Sequence, residues 1–294
     1  MSEIELDGLN GSSPLCFLAA LGILRLTSER GSRLGFRDDG SFRPFIAGFT
    51  GDLGEVVAAD AAGDSPPQAW RLAYQKSGKR PREVRDLKPP PGVFGHFLEQ
   101  GLEEWLAGHE EKVAYGSAFG SSVAVDGKGN TKPTALHFSA GQQEWLATVE
   151  EIRVAVTADW ARESLFEGQS LRVGANLRWD PGADRNRALM AIDPSGEKTV
   201  VDAPLEWLAF RALPLLPAFP RGSRLLTTCV HGHGDEMTMT WPLWTGAASV
   251  STVRSLLVAS QGDGPPCRGV FAVCRSRIQR TTQGYGNFCP ASIS

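Results

Sequence analysis

The apolar positions of this chain change period several times, and the changes mark out its elements. Ile4 to Leu6 reads as a short strand ahead of the loop Asp7-Gly8-Leu9-Asn10-Gly11. Leu15, Leu18, Leu21, Ile23 and Leu26 then recur at helical spacing. Ser12 or Ser13 stands where a cap belongs, Pro14 occupies the first turn where its missing N–H costs nothing, and Gly31 is a stop signal. Ala19, Ala20 and Gly22 leave that helix room for a close neighbour. Residues 35 to 54 read as strand and turn. Phe94, Phe97, Leu98, Leu102, Trp105 and Leu106 mark one face of a helix over 94–106. Asp126-Gly127 after Val123-Ala124-Val125 is a hairpin signal. Leu136 to Phe138 reads as a strand with His137 packed in it, and Ser139 with Gln142 as the capping box of a helix to about Arg153. Strands are expected again over 224–230, 238–241 and 269–273. The second of these is anchored by Trp241-Pro242-Leu243-Trp244, and a helix capped by Ser251 or Thr252 runs to Ala259 before the third. Strands and helices alternate without a βαβ rhythm, so the expected class is α+β, with mixed sheets and packed helices. The expectation is one compact unit over 1–294, subdivided at most weakly near 155–170.

Charge alters this picture in one place. Lys76, Lys79, Arg80, Arg82, Arg85 and Lys88 put six cations into thirteen residues, interrupted by Glu83 and Asp86 and followed by Pro89-Pro90-Pro91-Gly92. With the small, polar, proline-bearing stretch 58–67 before it, this predicts a long mobile basic loop over about 60–92. The chain as a whole has 294 residues, 41% hydrophobic content and a formal net charge of −3. It is long enough for a large core, and any contact with nucleic acid must come from local clusters rather than bulk charge. No run approaches the roughly 18 apolar residues of a membrane span, so no membrane partner is expected. The acidic start Met1-Ser2-Glu3-Ile4-Glu5 lacks the layout of a secretory signal, and five irregularly spaced cysteines make no disulfide framework. A cytoplasmic location is expected.

Two further stretches place cations on stiff backbone. Asp180-Pro181 and Asp193-Pro194 are turns, because proline fixes its φ and its predecessor leaves the helical region. A carboxylate there can accept backbone N–H bonds and stiffen the corner, which presents Arg178, Arg185 and Arg187. In the tail, five arginines from Arg254 onward face a single acid, Asp263. Arg275, Arg277 and Arg280 fall in a strand pattern ahead of Gln283-Gly284-Tyr285-Gly286-Asn287-Phe288. Arginines hold phosphates and rings stack on bases. The expected nucleic-acid contacts are therefore Lys76, Lys79, Arg80, Arg82, Arg85, Lys88, Arg178, Arg185, Arg187, Arg275, Arg277 and Arg280.

Catalytic signals are weak. No nucleophile–base pair or paired-carboxylate motif is visible. Gly127-Lys128-Gly129-Asn130-Thr131-Lys132 lacks Walker spacing, and Gly116-Ser117-Ala118-Phe119-Gly120 reads as a loop. Cys229, His231, His233 and Asp235 are zinc-type residues, and alternation would put both histidines on one side of a strand. They define an alternative, a metal-dependent hydrolase. A protein-only interaction scaffold is a third option. No catalytic residue, metal or cofactor is expected under the main reading.

The chain also carries a resemblance. Arg178-Trp179-Asp180-Pro181, Asp184-Arg185, Ala188-Leu189 and Asp193-Pro194-Ser195 are followed by Glu206-Trp207-Leu208-Ala209-Phe210 and Leu213-Pro214-Leu215-Leu216-Pro217. With Pro14, Phe17-Leu18-Ala19-Ala20-Leu21-Gly22 and Trp241-Pro242-Leu243-Trp244, the chain resembles large-subunit-type proteins of the Cascade complex in type I CRISPR systems of subtype I-U or I-G. Where that family has an aromatic residue after Asp-Arg, this chain has Asn186-Arg187. The resemblance implies a non-catalytic subunit of an RNA-guided surveillance complex in antiviral defence. Its implied partners are guide RNA, target double-stranded DNA beside the adjacent motif, other Cascade subunits and a helicase–nuclease. Guide pairing would carry sequence specificity while protein reads the adjacent motif. At 294 residues the chain is short for such a large subunit.

Overall fold

The computed structural model of the chain describes residues 2–63, 69–76, 81–141, 143–183, 199–259, 269–282 and 284–294. Strands β1 (Glu3–Glu5), β2 (Arg33–Phe36) and β3 (Pro44–Ala47) form a sheet in the order β1-β3-β2, with helix α1 (Pro14–Thr27) between the first two in sequence. Helix α2 (Leu53–Ala62) replaces the expected turn and loop. The Asp52 carboxylate accepts the Glu55 N–H at 3.1 Å, and Leu53, Val57 and Ala61 are buried. A capping acid with three well-spaced small or apolar residues is enough here, although the composition looks poor in apolar content.

Strands β4 (Tyr74–Lys76) and β5 (Arg82–Val84) pair as a hairpin inside the segment expected to be a mobile loop. Trp70, Leu72, Val84 and Leu87 are buried around it, so the described part of this basic stretch is fastened to the core. Helices α3 (Pro91–Leu106) and α4 (Glu111–Phe119) run antiparallel, Gly101 lying against Val113 and Gly116 against Leu98. The Gly-Ser-Ala composition of α4 therefore serves close helix packing and not a loop. Leu102, Trp105 and Leu106 continue the apolar face of α3 past the body and stand 49%, 50% and 80% exposed.

Strands β6 (Gly120–Val125) and β7 (Thr131–Pro133) form the expected hairpin, with the Asp126 carboxylate accepting the Lys128 and Asn130 N–H groups at 2.8 and 3.0 Å. Residues 136–138 are irregular, not a strand. Helix α5 (Trp145–Ala155) starts beyond the Ser139 cap position, with Glu144 before it. Helix α6 (Ala158–Arg162) runs into a π-turn at Glu163–Glu167. Then follow β8 (Arg172–Val173), β9 (Val200–Val201) and α7 (Ala203–Ala212). The hairpin β10 (Ala218–Arg221) and β11 (Arg224–Thr227) comes next. Strands β12 (Val230–His231), β13 (Thr238–Trp244), β14 (Val270–Arg280) and β15 (Gly286–Phe288) make the last sheet in that order. Helix α8 (Val250–Ala259) follows β13, and β16 (Ser292–Ile293) also pairs with β14. The class is α+β, and every strand pair among the described residues is antiparallel. No helix among them is long and apolar enough to cross a membrane.

One apolar cluster runs from Leu6 to Phe288, and α1 and α7 cross at its centre. A Cβ on Gly22 would lie 2.0 Å from the Leu208 carbonyl oxygen, so the two backbones touch. Phe210 of α7 meets Trp70 and Tyr115 at 5.2 Å between ring centroids, and Trp145 and Trp207 at 5.7 Å. Trp241 and Trp244 of β13 pack on Phe17 and donate their indole N–H groups to the carbonyls of Gly11 and Leu34 at 2.9 and 2.8 Å. Buried indoles need such partners, and these two bonds tie the last sheet to the start of the chain.

Gly22→Ala forces apart two backbones and is expected to destabilise the protein by about 3 kcal/mol, at the upper end of overpacking costs. Gly95→Ala, in a helix position where a Cβ meets nothing within 4 Å, is expected to stabilise by about 0.5–1 kcal/mol. Urea midpoints of the two variants check both signs.

Candidate nucleic-acid interface

The basic hairpin is docked on the start of α5, where the Leu146 N–H donates to the Arg85 carbonyl at 3.1 Å. Glu144 accepts the Arg85 backbone N–H at 2.8 Å and forms a short ion pair with the Arg82 guanidinium. Beneath it, the Asp86 carboxylate takes the His137 Nε2–H at 2.8 Å and the Trp145 N–H at 3.4 Å. Burial pushes the His137 imidazole toward its neutral form. Burial is the largest influence on Asp86 and would raise it, but the bond and charge of His137, the Leu87 N–H and the Lys88 charge together hold that carboxyl below its ordinary value. This His–Asp contact is the anchor of the hairpin, and His137 sits in a loop and not in a strand. Register places Lys76 opposite Arg82, with the side chains of Lys76 and Arg85 exposed and Lys88 half-buried. Lys79 and Arg80 lie outside the described residues.

Arg178 reaches the same end of α5 from a distant turn. Leu177 donates its N–H to Glu206 of α7 at 3.2 Å, and the Trp179 indole donates to the Leu136 carbonyl at 2.9 Å. Both neighbours are buried, and Arg178 between them is held at φ +66°, a conformation that bulky L-residues rarely adopt. Its guanidinium lies 4.5 Å from the centroid of the Tyr285 ring. The corner that follows is stiff as expected, since Asp180 accepts the Gly182 N–H at 2.8 Å and the Gln169 amide at 2.6 Å. The second Asp-Pro corner, with Arg185 and Arg187, lies outside the described residues.

Between α5 and this turn opens a cleft of about 310 Å³, with Gln143, Glu144, Thr148, Asn176 and Arg178 among its lining. Amide, hydroxyl and carboxylate groups in such a cleft suit the hydrogen-bonding edge of a planar polar ligand. Sequence reasoning missed Glu144, because nothing in the local pattern of a helix start shows that its carboxylate ties down a strand over fifty residues upstream.

The tail arginines separate by strand parity. Arg275 and Arg277 point to the exposed side of β14, opposite Thr240 and Thr238. Arg280 has the opposite parity and turns inward. Its guanidinium donates to the carbonyl of Ala135 at 2.9 Å and to those of His137 and Gly284 at 3.4 Å. Burial lowers its pKa, and its donors serve the fold. The zinc-type residues also diverge. The Cys229 thiol is buried against the Leu257 carbonyl, with its pKa pushed up to about 12 by burial, and Gly232 at φ +77° ends β12 before His233. Among the described residues no three His, Cys, Asp or Glu side chains stand close enough to share a metal ion.

Two buried acids at the start of α7, Asp202 and Glu206, hold the segment that leads into the turn at Arg178. Asp202 caps the helix, accepting the Leu205 and Ser170 N–H groups at 3.1 and 2.9 Å and the Ser164 hydroxyl at 2.8 Å. Burial raises Asp202 to about 6 and Glu206 to about 8. A raised folded pKa gives stability that is present at low pH and is lost as pH rises through the folded value. The Asp202 contribution has gone by about pH 6.5, and His137 costs stability only below that point. From about pH 6.5 to about pH 8, Glu206 therefore dominates, and stability should fall by about 1.5 kcal/mol. Glu206→Gln should abolish that slope, as read by chemical denaturation at the two pH values. No protein-family model matches the chain, and no curated protein matches it.

Proposed function

We propose that this chain is a non-catalytic nucleic-acid-binding subunit of a type I RNA-guided surveillance complex. In this reading it contacts guide RNA and target duplex DNA near the adjacent motif and helps to recruit the helicase–nuclease. The resemblance of Arg178–Pro181, Glu206–Phe210 and the start of α1 to large-subunit-type Cascade proteins supports it. The observation that carries it is the meeting of the cationic hairpin and the distant Arg178 at one end of α5. The hairpin with Lys76, Arg82 and Arg85 is fastened to Glu144, and Glu144 and Arg178 line the same cleft.

The chemistry of the surface fits that task. Lys76 and Arg85 are exposed cations on a fastened hairpin, suited to phosphates and indifferent to base sequence. Arg178 is held in a strained backbone conformation beside an aromatic ring, and strain of this kind tends to sit at functional sites. A splayed base entering the cleft would find hydrogen-bond partners for its edge while its phosphate meets the arginines. Arg82 has a second duty, since its pairing with Glu144 docks the hairpin.

Lys76→Glu with Arg85→Glu should weaken binding of duplex DNA across sequences. The slope of log K against log salt should shrink by about 0.9 for each phosphate that the protein no longer neutralises. A slope equal to that of the unaltered protein would remove the hairpin from the interface. Arg178→Gly separates binding from folding. Relief of about 1 kcal/mol of left-handed strain works against the loss of the side chain's contacts, the attraction to the ring among them. Affinity for RNA should fall while the variant still unfolds in one cooperative transition. Calorimetry and a filter-binding titration measure the two effects.

A further inference from the structure

We propose that the tip of the β10–β11 hairpin is a further contact for single-stranded nucleic acid. Arg221 and Arg224 hold a phosphate between them, and Phe219 stacks on a neighbouring base. The inference rests on the nucleic-acid-binding reading above but concerns residues outside the α5 surface.

The local geometry follows from two residues. Gly222 and Ser223 form the whole connection between β10 and β11, with Gly222 at φ +59° and Ser223 outside the positive-φ region. That is the type II′ hairpin, in which glycine takes the first central position. Its register sets Arg221 opposite Arg224 and Phe219 opposite Leu226. These four side chains therefore share one face of the ribbon. The other face turns to the body, where Ala218 and Thr227 are buried and the Thr227 hydroxyl accepts the Ala135 N–H at 2.9 Å. Phe219 is 50% exposed.

The arrangement is electrostatically unfavourable as it stands. Like charges directly opposite on paired strands repel. Among the described residues, no carboxylate lies within ion-pair distance of Arg221 or Arg224, whereas Arg25, Arg37, Arg43, Arg162 and Arg211 each have one. A third cation joins them, because Lys132 of β7 donates its ammonium to the Ser223 carbonyl at 2.7 Å. An anion seated between the guanidinium groups removes the repulsion, and paired N–H forks suit a phosphate. The exposed ring beside them separates one class of anion from others. An acidic peptide or a duplex would use the cations and leave the ring idle, whereas a single strand offers a base to stack.

The test uses the full chain, labelled oligo(U) and oligo(dT) of about 20 nucleotides, and a duplex of the same length. Phe219→Ala should weaken single-strand binding about tenfold, with the salt slope and duplex binding unchanged. Arg221→Gln with Arg224→Gln should reduce the single-strand salt slope by about 0.7 for each phosphate left without its cation. Ultraviolet crosslinking of the unaltered protein to oligo(U) should mark the peptide that contains Phe219, a readout independent of how the variants fold. If both variants bind as the unaltered protein does and crosslinks map elsewhere, while the Lys76 and Arg85 reversals weaken binding, the hairpin is no contact and the subunit reading stands. If the unaltered protein binds neither RNA nor DNA, both fall. Weaker binding on the arginine changes alone, with Phe219→Ala silent, overturns the stacking role and with it the preference for single strands.

Discussion

The crossing of α1 and α7 at Gly22 is the contact on which the remaining geometry depends. With no side chain at Gly22, the carbonyl of Leu208 occupies the space that a Cβ would need, and two almost wholly apolar helices lie backbone to backbone. Burial that deep takes the first turn of α7 inside with the rest, and Asp202 and Glu206 go with it. Carboxyl groups removed from water must find donors or take up a proton. Both happen here. The pKa of each is raised by burial, and each accepts backbone N–H groups from the segment between residues 170 and 177.

Those bonds carry the constraint outward from the core to the surface. Once Leu177 is held by Glu206 and the Trp179 indole by the Leu136 carbonyl, Arg178 has little choice of backbone conformation. Its positive φ is the surface expression of a helix crossing deep in the core. The hairpin is set in a similar way, by the buried pair of Asp86 and His137 and by Glu144 above it. In the proposed subunit, these two elements form the surface that polyanions meet, and both are tied to the core by buried hydrogen bonds.

The arginines divide by what their donors do. Arg25, Arg153 and Arg280 donate to backbone carbonyls, and Arg211 bonds Tyr115 and Glu111. Their charge belongs to the fold. Lys76, Arg85, Arg221 and Arg224 have exposed side chains, displayed on hairpins. A formal net charge of −3 conceals this division, since it counts a buried guanidinium and a displayed one alike. In the proposed reading, binding depends only on the displayed ones.

Local sequence determined the elements whose signals are self-contained. Pro14 with the Leu15–Leu26 spacing specified α1, Asp126-Gly127 specified the β6–β7 turn, and the Asp180 corner accepted a backbone N–H bond as its chemistry requires. Local sequence also misdirected where composition and packing disagree. The small residues of α4 and α2 looked like loop material but are what close helix contacts need, and the basic run over 76–88 hid Val84 and Leu87, which fasten it. Only the tertiary structure decided which arginines face outward, because strand parity, a distant carboxylate or a single buried carbonyl settles that question for each. Equally, it alone brought Arg178 to Glu144 and Tyr285, residues far apart in the chain and joined by no periodic pattern. The physical reason is the same in both cases. Turns and helices are stabilised by neighbours in sequence, whereas a binding surface is assembled from groups that meet only after the core has closed.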